Sequence, residues 1–120
     1  MGLAIFENYS STEELFKKGK QEFKPLKVKL SNERCSSTLL RLLEAKKYKS
    51  IKVGQIYGDI FYIDDDFEVS LLLSRDSSSP YTIINVSTYG ERKRGRTRPK
   101  LKAILDMLKE ELKIYLIEEI

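Results

Sequence analysis

The side chains best able to do chemistry in this 120-residue chain are basic and crowded into one stretch. Residues 91–102 read Glu-Arg-Lys-Arg-Gly-Arg-Thr-Arg-Pro-Lys-Leu-Lys, seven basic residues against one acidic. Residues 61–90 hold Arg75 against five acids, and residues 103–120 hold two lysines against five acids. The positive segment therefore stands between acidic neighbours and is not a by-product of the overall charge of +4. Arg92, Arg94, Arg96 and Arg98 offer planar forked donors, suited to gripping phosphate in two places. Gly95 lets a loop move and a ligand approach the backbone. Pro99, just inside a helix start, leaves the first amides free at the end that favours an anion. Thr97 can cap that helix or bond a phosphate oxygen.

These residues predict a polyanion contact, with DNA or RNA as the partner. Its expected members are Arg92, Lys93, Arg94, Arg96, Thr97, Arg98, Lys100 and Lys102, joined by Lys27 and Lys29 if the fold brings the two groups together. Such binding is driven by the phosphate backbone, reads little sequence and falls steeply with salt. The aromatic string of RNP type, the Gly-x-x-Gly loop of KH type and zinc-finger spacing are all missing. Tyr57, Tyr62, Tyr81 and Tyr89 could stack on bases, with cross-strand packing as the competing use. The competing use of the basic run is a solvated loop that keeps the protein soluble.

Catalytic chemistry finds little to work with. The chain has no His, which removes the commonest general base and metal ligand, and its single Cys cannot form an internal disulfide or a zinc site. Phosphate-cradling glycine loops of the Walker or dinucleotide type are absent. Asp59, Asp64, Asp65, Asp66 and Glu68 lie within ten residues and offer the oxygen ligands that Mg²⁺ or Ca²⁺ prefers. Their spacing is not that of an EF-hand, and Glu68 is followed by Val69 and Ser70, without the lysine of a carboxylate-and-lysine nuclease. An acidic hairpin turn is the simpler reading. A non-enzymatic protein with no cofactor and no metal is expected.

The elements that must position these groups follow from periodicity. Gly2–Tyr9 has strand character. Ser11-Thr12-Glu13-Glu14 is a capping box that opens a helix carrying Leu15, Phe16 and Phe23, weakened at Gly19 and ended by Pro25. Pro25–Leu30 alternates, with Leu26, Val28 and Leu30 on one face and Lys27 and Lys29 on the other. A second helix is expected from Ser36 through Leu43 to Lys46, Lys47 and Lys49, with Cys35 at its threshold. Ile51–Ile56, Ile60–Ile63, Phe67–Leu73 and Tyr81–Thr88 read as four strands joined by turns at Gly58-Asp59, Asp64-Asp65-Asp66 and Ser77–Pro80. Pro99–Ile117 is an amphipathic helix with Leu101, Ile104, Leu105, Leu108, Leu112, Tyr115 and Leu116 in one stripe. The expectation is one α+β domain over residues 1–120, ordered β-α-β-α-β-β-β-β-α. Its mainly antiparallel twisted sheet is covered by helices, the last of them long.

Two further functional readings belong to the same elements. A meander followed by a long amphipathic helix permits a helix-grip arrangement, with a small molecule or lipid in a cavity between sheet and helix. The end of the chain, Ile114 to Ile117 with Ile120, is apolar on more than one face and predicts a homodimer, or a protein-interaction module, through the C-terminal helix. No apolar run spans a membrane and no signal pattern opens the chain, so a cytoplasmic protein with no membrane partner is expected. Fifteen Lys and twelve Glu against two Gln and three Asn give a thermophile-like composition.

Overall fold

The computed structural model describes residues 8–75 and 81–117. Most of the strand expected at Gly2–Tyr9, and the turn expected at Ser77–Pro80, lie outside them. Six strands, β1 (Tyr9–Ser11), β2 (Leu26–Val28), β3 (Lys49–Val53), β4 (Ile60–Asp64), β5 (Phe67–Arg75) and β6 (Thr82–Tyr89), form one antiparallel sheet. Three helices, α1 (Thr12–Lys17), α2 (Asn32–Ala45) and α3 (Thr97–Glu111), and a 3₁₀ turn at Gln21–Phe23 complete the single α+β domain. The order of elements is the expected one.

Within the sheet the order is β1-β6-β5-β4-β3, and β2 also pairs with β6. With β5 on one edge of β6, strands β1 and β2 share the other. β1 takes Ser87–Tyr89 and β2 takes Thr82–Ile84, so Asn85 and Val86 fall in a gap between them. Thr12 fills the gap: its Oγ1 accepts the Val86 amide at 3.0 Å and donates to Asn85 Oδ1 at 2.9 Å. A side chain thereby satisfies a buried backbone donor that has no strand opposite it. At the other edge of β5, Leu73 lies beyond the start of β4, and its amide donates to Asp59 Oδ1 at 2.7 Å.

Local chemistry sets the boundaries. Ser11 caps α1 by accepting the Glu14 amide at 3.2 Å, as the capping box predicts. The helix does not run on to Pro25. Gly19, at φ 87°, ends it with a Schellman pair, Lys20 N to Leu15 O and Gly19 N to Phe16 O. α2 starts at Asn32, four residues before the expected Ser36, because Ser31 caps it, accepting the Arg34 amide at 3.3 Å. Cys35 consequently sits inside the helix and is fully buried. β3 is shifted towards Lys49, since Ser50 adopts φ 55° and creates a bulge between the Lys49–Ile63 and Lys52–Phe61 pairs.

α3 is shorter at its end than the stripe suggests. After Leu112 the chain turns, and Leu116 bridges Val28 of β2. Lys29 N donates to Tyr115 O at 2.8 Å and Ile117 N to Lys27 O at 2.9 Å. Tyr115 and Leu116 are thus partly buried along the edge of β2, which accounts for apolar residues that a helix wet on its outer side does not need.

Apart from Phe67, the buried apolar side chains of the described residues belong to one cluster. Ile60 and Tyr62, Val69, Leu71 and Leu73, and Ile84 and Val86 meet Leu39 and Leu43 of α2 and Leu101, Ile104, Leu105 and Leu108 of α3. The alternating strand residues point the other way, where Phe61, Leu72 and Tyr89 are exposed and Ser87 is buried. No described helix is long and apolar enough to cross a membrane.

Candidate polyanion-binding surface

The basic segment begins where β6 ends. Gly90 accepts no larger residue without disturbance, because an added Cβ would run into the Cβ and Cγ of Lys93 and come within 3.1 Å of Phe67. Two successive turns follow, closed by Lys93 N to Gly90 O and Arg96 N to Lys93 O, both at 3.0 Å. Arg92 holds φ 66° and Gly95 φ 67°, so the backbone reverses twice before α3. Arg92, Arg94, Arg96 and Arg98 are all exposed. Among the described residues Arg92, Arg96 and Arg98 form no ion pair. Lys93 folds back on the sheet end, its ammonium 5.4 Å from the centroid of the Phe67 ring.

Three of the expected members are occupied within the protein. Thr97 is buried, with Oγ1 2.8 Å from Ser10 Oγ and its carbonyl accepting Thr88 Oγ1 at 3.0 Å. It fixes the start of α3 to β1 and β6 and does not cap the helix, whose N-cap is Arg96, without a side-chain bond. Lys100 reaches across to the β4–β5 turn, 2.9 Å from Asp64 and 3.1 Å from Asp65, with the Phe67 ring 5.8 Å away. Burial works against its charge, but the two carboxylates outweigh it and hold its pKa above the ordinary lysine value. Lys102 pairs with Asp106 one turn along α3 at 2.7 Å. Sequence spacing could not separate Lys100 from the arginines, because its partners Asp64 and Asp65 lie 35 or more residues away, whereas the i,i+4 spacing of Lys102 and Asp106 on the expected helix signals that pair.

Lys27 and Lys29 do not join the arginines. Lys27 pairs with Ile83 while the loop leaves from Tyr89, six residues further along β6 and so roughly 20 Å away. Lys27 instead lies over the Tyr81 ring, 5.6 Å from its centroid.

The acidic cluster resolves into structural duties. Asp65 and Asp66 both have positive φ, 51° and 66°, as a two-residue hairpin turn of the primed kind requires. Asp64 and Asp65 hold Lys100, and Asp59 completes the β5 edge. Among the described residues no three His, Cys, Asp or Glu side chains gather as a metal set.

Of the four tyrosines named from the sequence, Tyr62 points into the core, its ring tilted by 46° against that of Tyr48 with centroids 4.9 Å apart, and its hydroxyl is buried and unpartnered among the described residues. Burial first, then Tyr48 and Asp64, push its pKa up and keep it neutral. Tyr57 stands exposed on the β3–β4 loop and Tyr81 is half-buried beside Lys27. Tyr89 alone lies exposed on the open sheet face, and there Tyr9 is its direct cross-strand neighbour. Tyr9 and Phe61 escaped the sequence reading. The period-two pattern that puts Ile60 and Tyr62 inside was the signal that Phe61 faces out.

An open groove of about 910 Å³ lies between the start of α2, the β3–β4 loop and the end of β5, with Leu40, Val53, Ile56 and Tyr57 among its walls. A shallower hollow of about 460 Å³ lies beside β2, bordered by Lys24, Lys109 and Leu116. Neither lies between the sheet and α3, where Ile84, Val86, Leu101, Ile104, Leu105 and Leu108 are almost wholly buried against one another. Comparison with known protein families, curated proteins and solved structures finds no match for this chain.

Proposed function

We propose that the protein binds a polyanion, nucleic acid in particular, through the arginine loop between β6 and α3. One observation carries the reading: four exposed arginines, at positions 92, 94, 96 and 98, surround a doubly reversing backbone at one end of the sheet. The neighbouring lysines are engaged by carboxylates, Lys100 by Asp64 and Asp65 of the hairpin and Lys102 by Asp106 of α3. Arg92 also occupies the left-handed backbone region, where glycine or asparagine is less costly, so the side chain is kept at a conformational expense. The binding set is accordingly Arg92, Arg94, Arg96 and Arg98 with Lys93 beside them, while Thr97 and Lys100 tie the start of α3 to the sheet and Lys102 pairs within α3.

The test is a fluorescence-anisotropy titration of labelled nucleic acid. Four phosphate contacts weaken binding by roughly 50- to 150-fold between about 50 and about 200 mM salt. Changing the four arginines together to Ala should remove most of that dependence. Equal affinity and equal salt slope in the variant would overturn the proposal.

A further inference from the structure

The open face of the sheet is not the neutral, charged-and-polar surface that an antiparallel sheet usually turns to water. Its side chains fall into registered rows. One row reads Tyr9, Tyr89, Glu68, Ile63 and Lys49 from β1 across to β3, and the next reads Ser11, Ser87, Ser70, Phe61 and Lys52. Beyond them come Asn85 beside Leu72, then Lys27, Ile83 and Ser74. Tyr9, Phe61, Leu72 and Tyr89 are each 38–40% exposed, so flat apolar surface is displayed and not merely packed. The serines between them, Ser11, Ser70 and Ser87, are too small to stand above the rings, and Ser11 and Ser87 are buried among their neighbours.

Charge borders this surface. Lys49 and Lys52 stand along the β3 edge, Lys27 at the far corner, and the arginine loop leaves directly from Tyr89. A ligand that matches must carry negative charge at its periphery and flat rings at its centre. A nucleic-acid single strand has both, whereas a duplex keeps its ring faces stacked within. Strand spacing puts Tyr9 and Phe61 three strands and one row apart, about 16 Å in all, room for two or three bases laid across the strands. Glu68, opposite Tyr89, is the one carboxylate within these rows. It repels phosphate from the middle of the sheet and can accept an exocyclic amino group from a base.

We infer that the protein binds single-stranded nucleic acid, with two or three bases stacked on Tyr9, Tyr89 and Phe61 while the arginine loop holds the phosphates. This rests on the polyanion reading above, and the experiment separates the two. The probes are an oligothymidylate and an oligouridylate of about a dozen nucleotides, a DNA duplex of equal length, and inorganic polyphosphate. The proteins are the wild type, the four-arginine variant, Tyr9→Leu/Tyr89→Leu, and Tyr9→Phe/Tyr89→Phe, each checked by its thermal midpoint.

The wild type should prefer either single strand to the duplex and to polyphosphate. The leucine pair should lose about tenfold or more for single strands and nothing for polyphosphate, while the phenylalanine pair keeps wild-type affinity. Two outcomes would overturn the stacking inference and leave loop binding intact: a leucine pair that binds single strands normally, or a duplex that competes equally. A third is a dimer, seen by sedimentation, that the leucine pair dissolves and single strands do not, since a second copy would then own the face. An arginine variant with unaltered affinity for every probe overturns the loop reading, even if the aromatic pair still matters.

Discussion

The two faces of the sheet are made by the same six strands and share no chemistry. Leu71 and Leu72 are neighbours on β5, yet the first is fully buried and the second is 40% exposed. The inner face is closed by α2 and α3 and secured at its rim by Lys100 on Asp64 and Asp65. The outer face displays tyrosine, phenylalanine, leucine and serine, with lysines at the edge. A strand alternates every residue, so each change of polarity along β5 and β6 is doubled into a difference between whole surfaces. The inner face is where stability resides, and the outer one is where the proposed contact with bases falls.

The largest effect expected from this contrast is in stability. Leu71→Ala should lower the unfolding free energy by about 2–5 kcal/mol, because it opens a cavity beneath both helices. Leu72→Ala should cost under about 1 kcal/mol. Urea midpoints of the two variants measure the difference directly. Equal losses would mean that something covers the outer face and would break the comparison.

Lys100→Met comes next, at about 1–3 kcal/mol, since it leaves the mostly buried Asp64 without its cation. Its pH dependence has a definite sign. The pKa of Lys100 is raised in the folded state, so the stabilisation is complete below the unfolded value near 10.5. It disappears as the pH rises through the folded value. Wild type and variant should therefore converge in urea titrations above that range, and a constant gap would argue against the pairing.

The smallest expected effect concerns reactivity. Cys35 is buried on the inner side, and burial pushes its thiol up to about 12. Alkylation of the native protein should be slow and paced by opening of the core. A cysteine introduced by Leu72→Cys should react at once. Fast labelling of Cys35 would show that α2 leaves the sheet far more readily than its packing implies.

Much of this architecture was legible beforehand. The alternation in Pro25–Leu30 and from residue 60 to 89, the capping box at Ser11 and the stripe from Leu101 to Leu112 record burial directly. The errors were at ends. In the sequence Gly19 looks like a weakness within a helix, but its positive φ makes it the terminator, and the apolar stripe of α3 runs on over Tyr115 and Leu116, which are apolar because they lie along β2. Neither a C-terminal edge contact nor a bulge at Ser50 leaves a periodic trace.

The candidate site was legible only as a run of charge. Its composition marked residues 92–102, but pairing is a matter of distance. The carboxylates that claim Lys100 are reached only once the β4–β5 turn folds beside the first turn of α3, and Ser10 claims Thr97 across the whole chain. The aromatic neighbours Tyr9 and Tyr89 lie 80 positions apart, joined by the register between β1 and β6.

What the sequence determined by itself was therefore periodic or local: helix and strand character, caps, turn residues and the sign of the charge on each segment. Tertiary structure decided which charges pair with one another, which apolar residues are left facing water, and that the arginine loop leaves the sheet directly after Tyr89. Periodicity assigns a residue to a side of its own element. Only the pairing of strands and the docking of helices decide what stands opposite that side, and whether anything does.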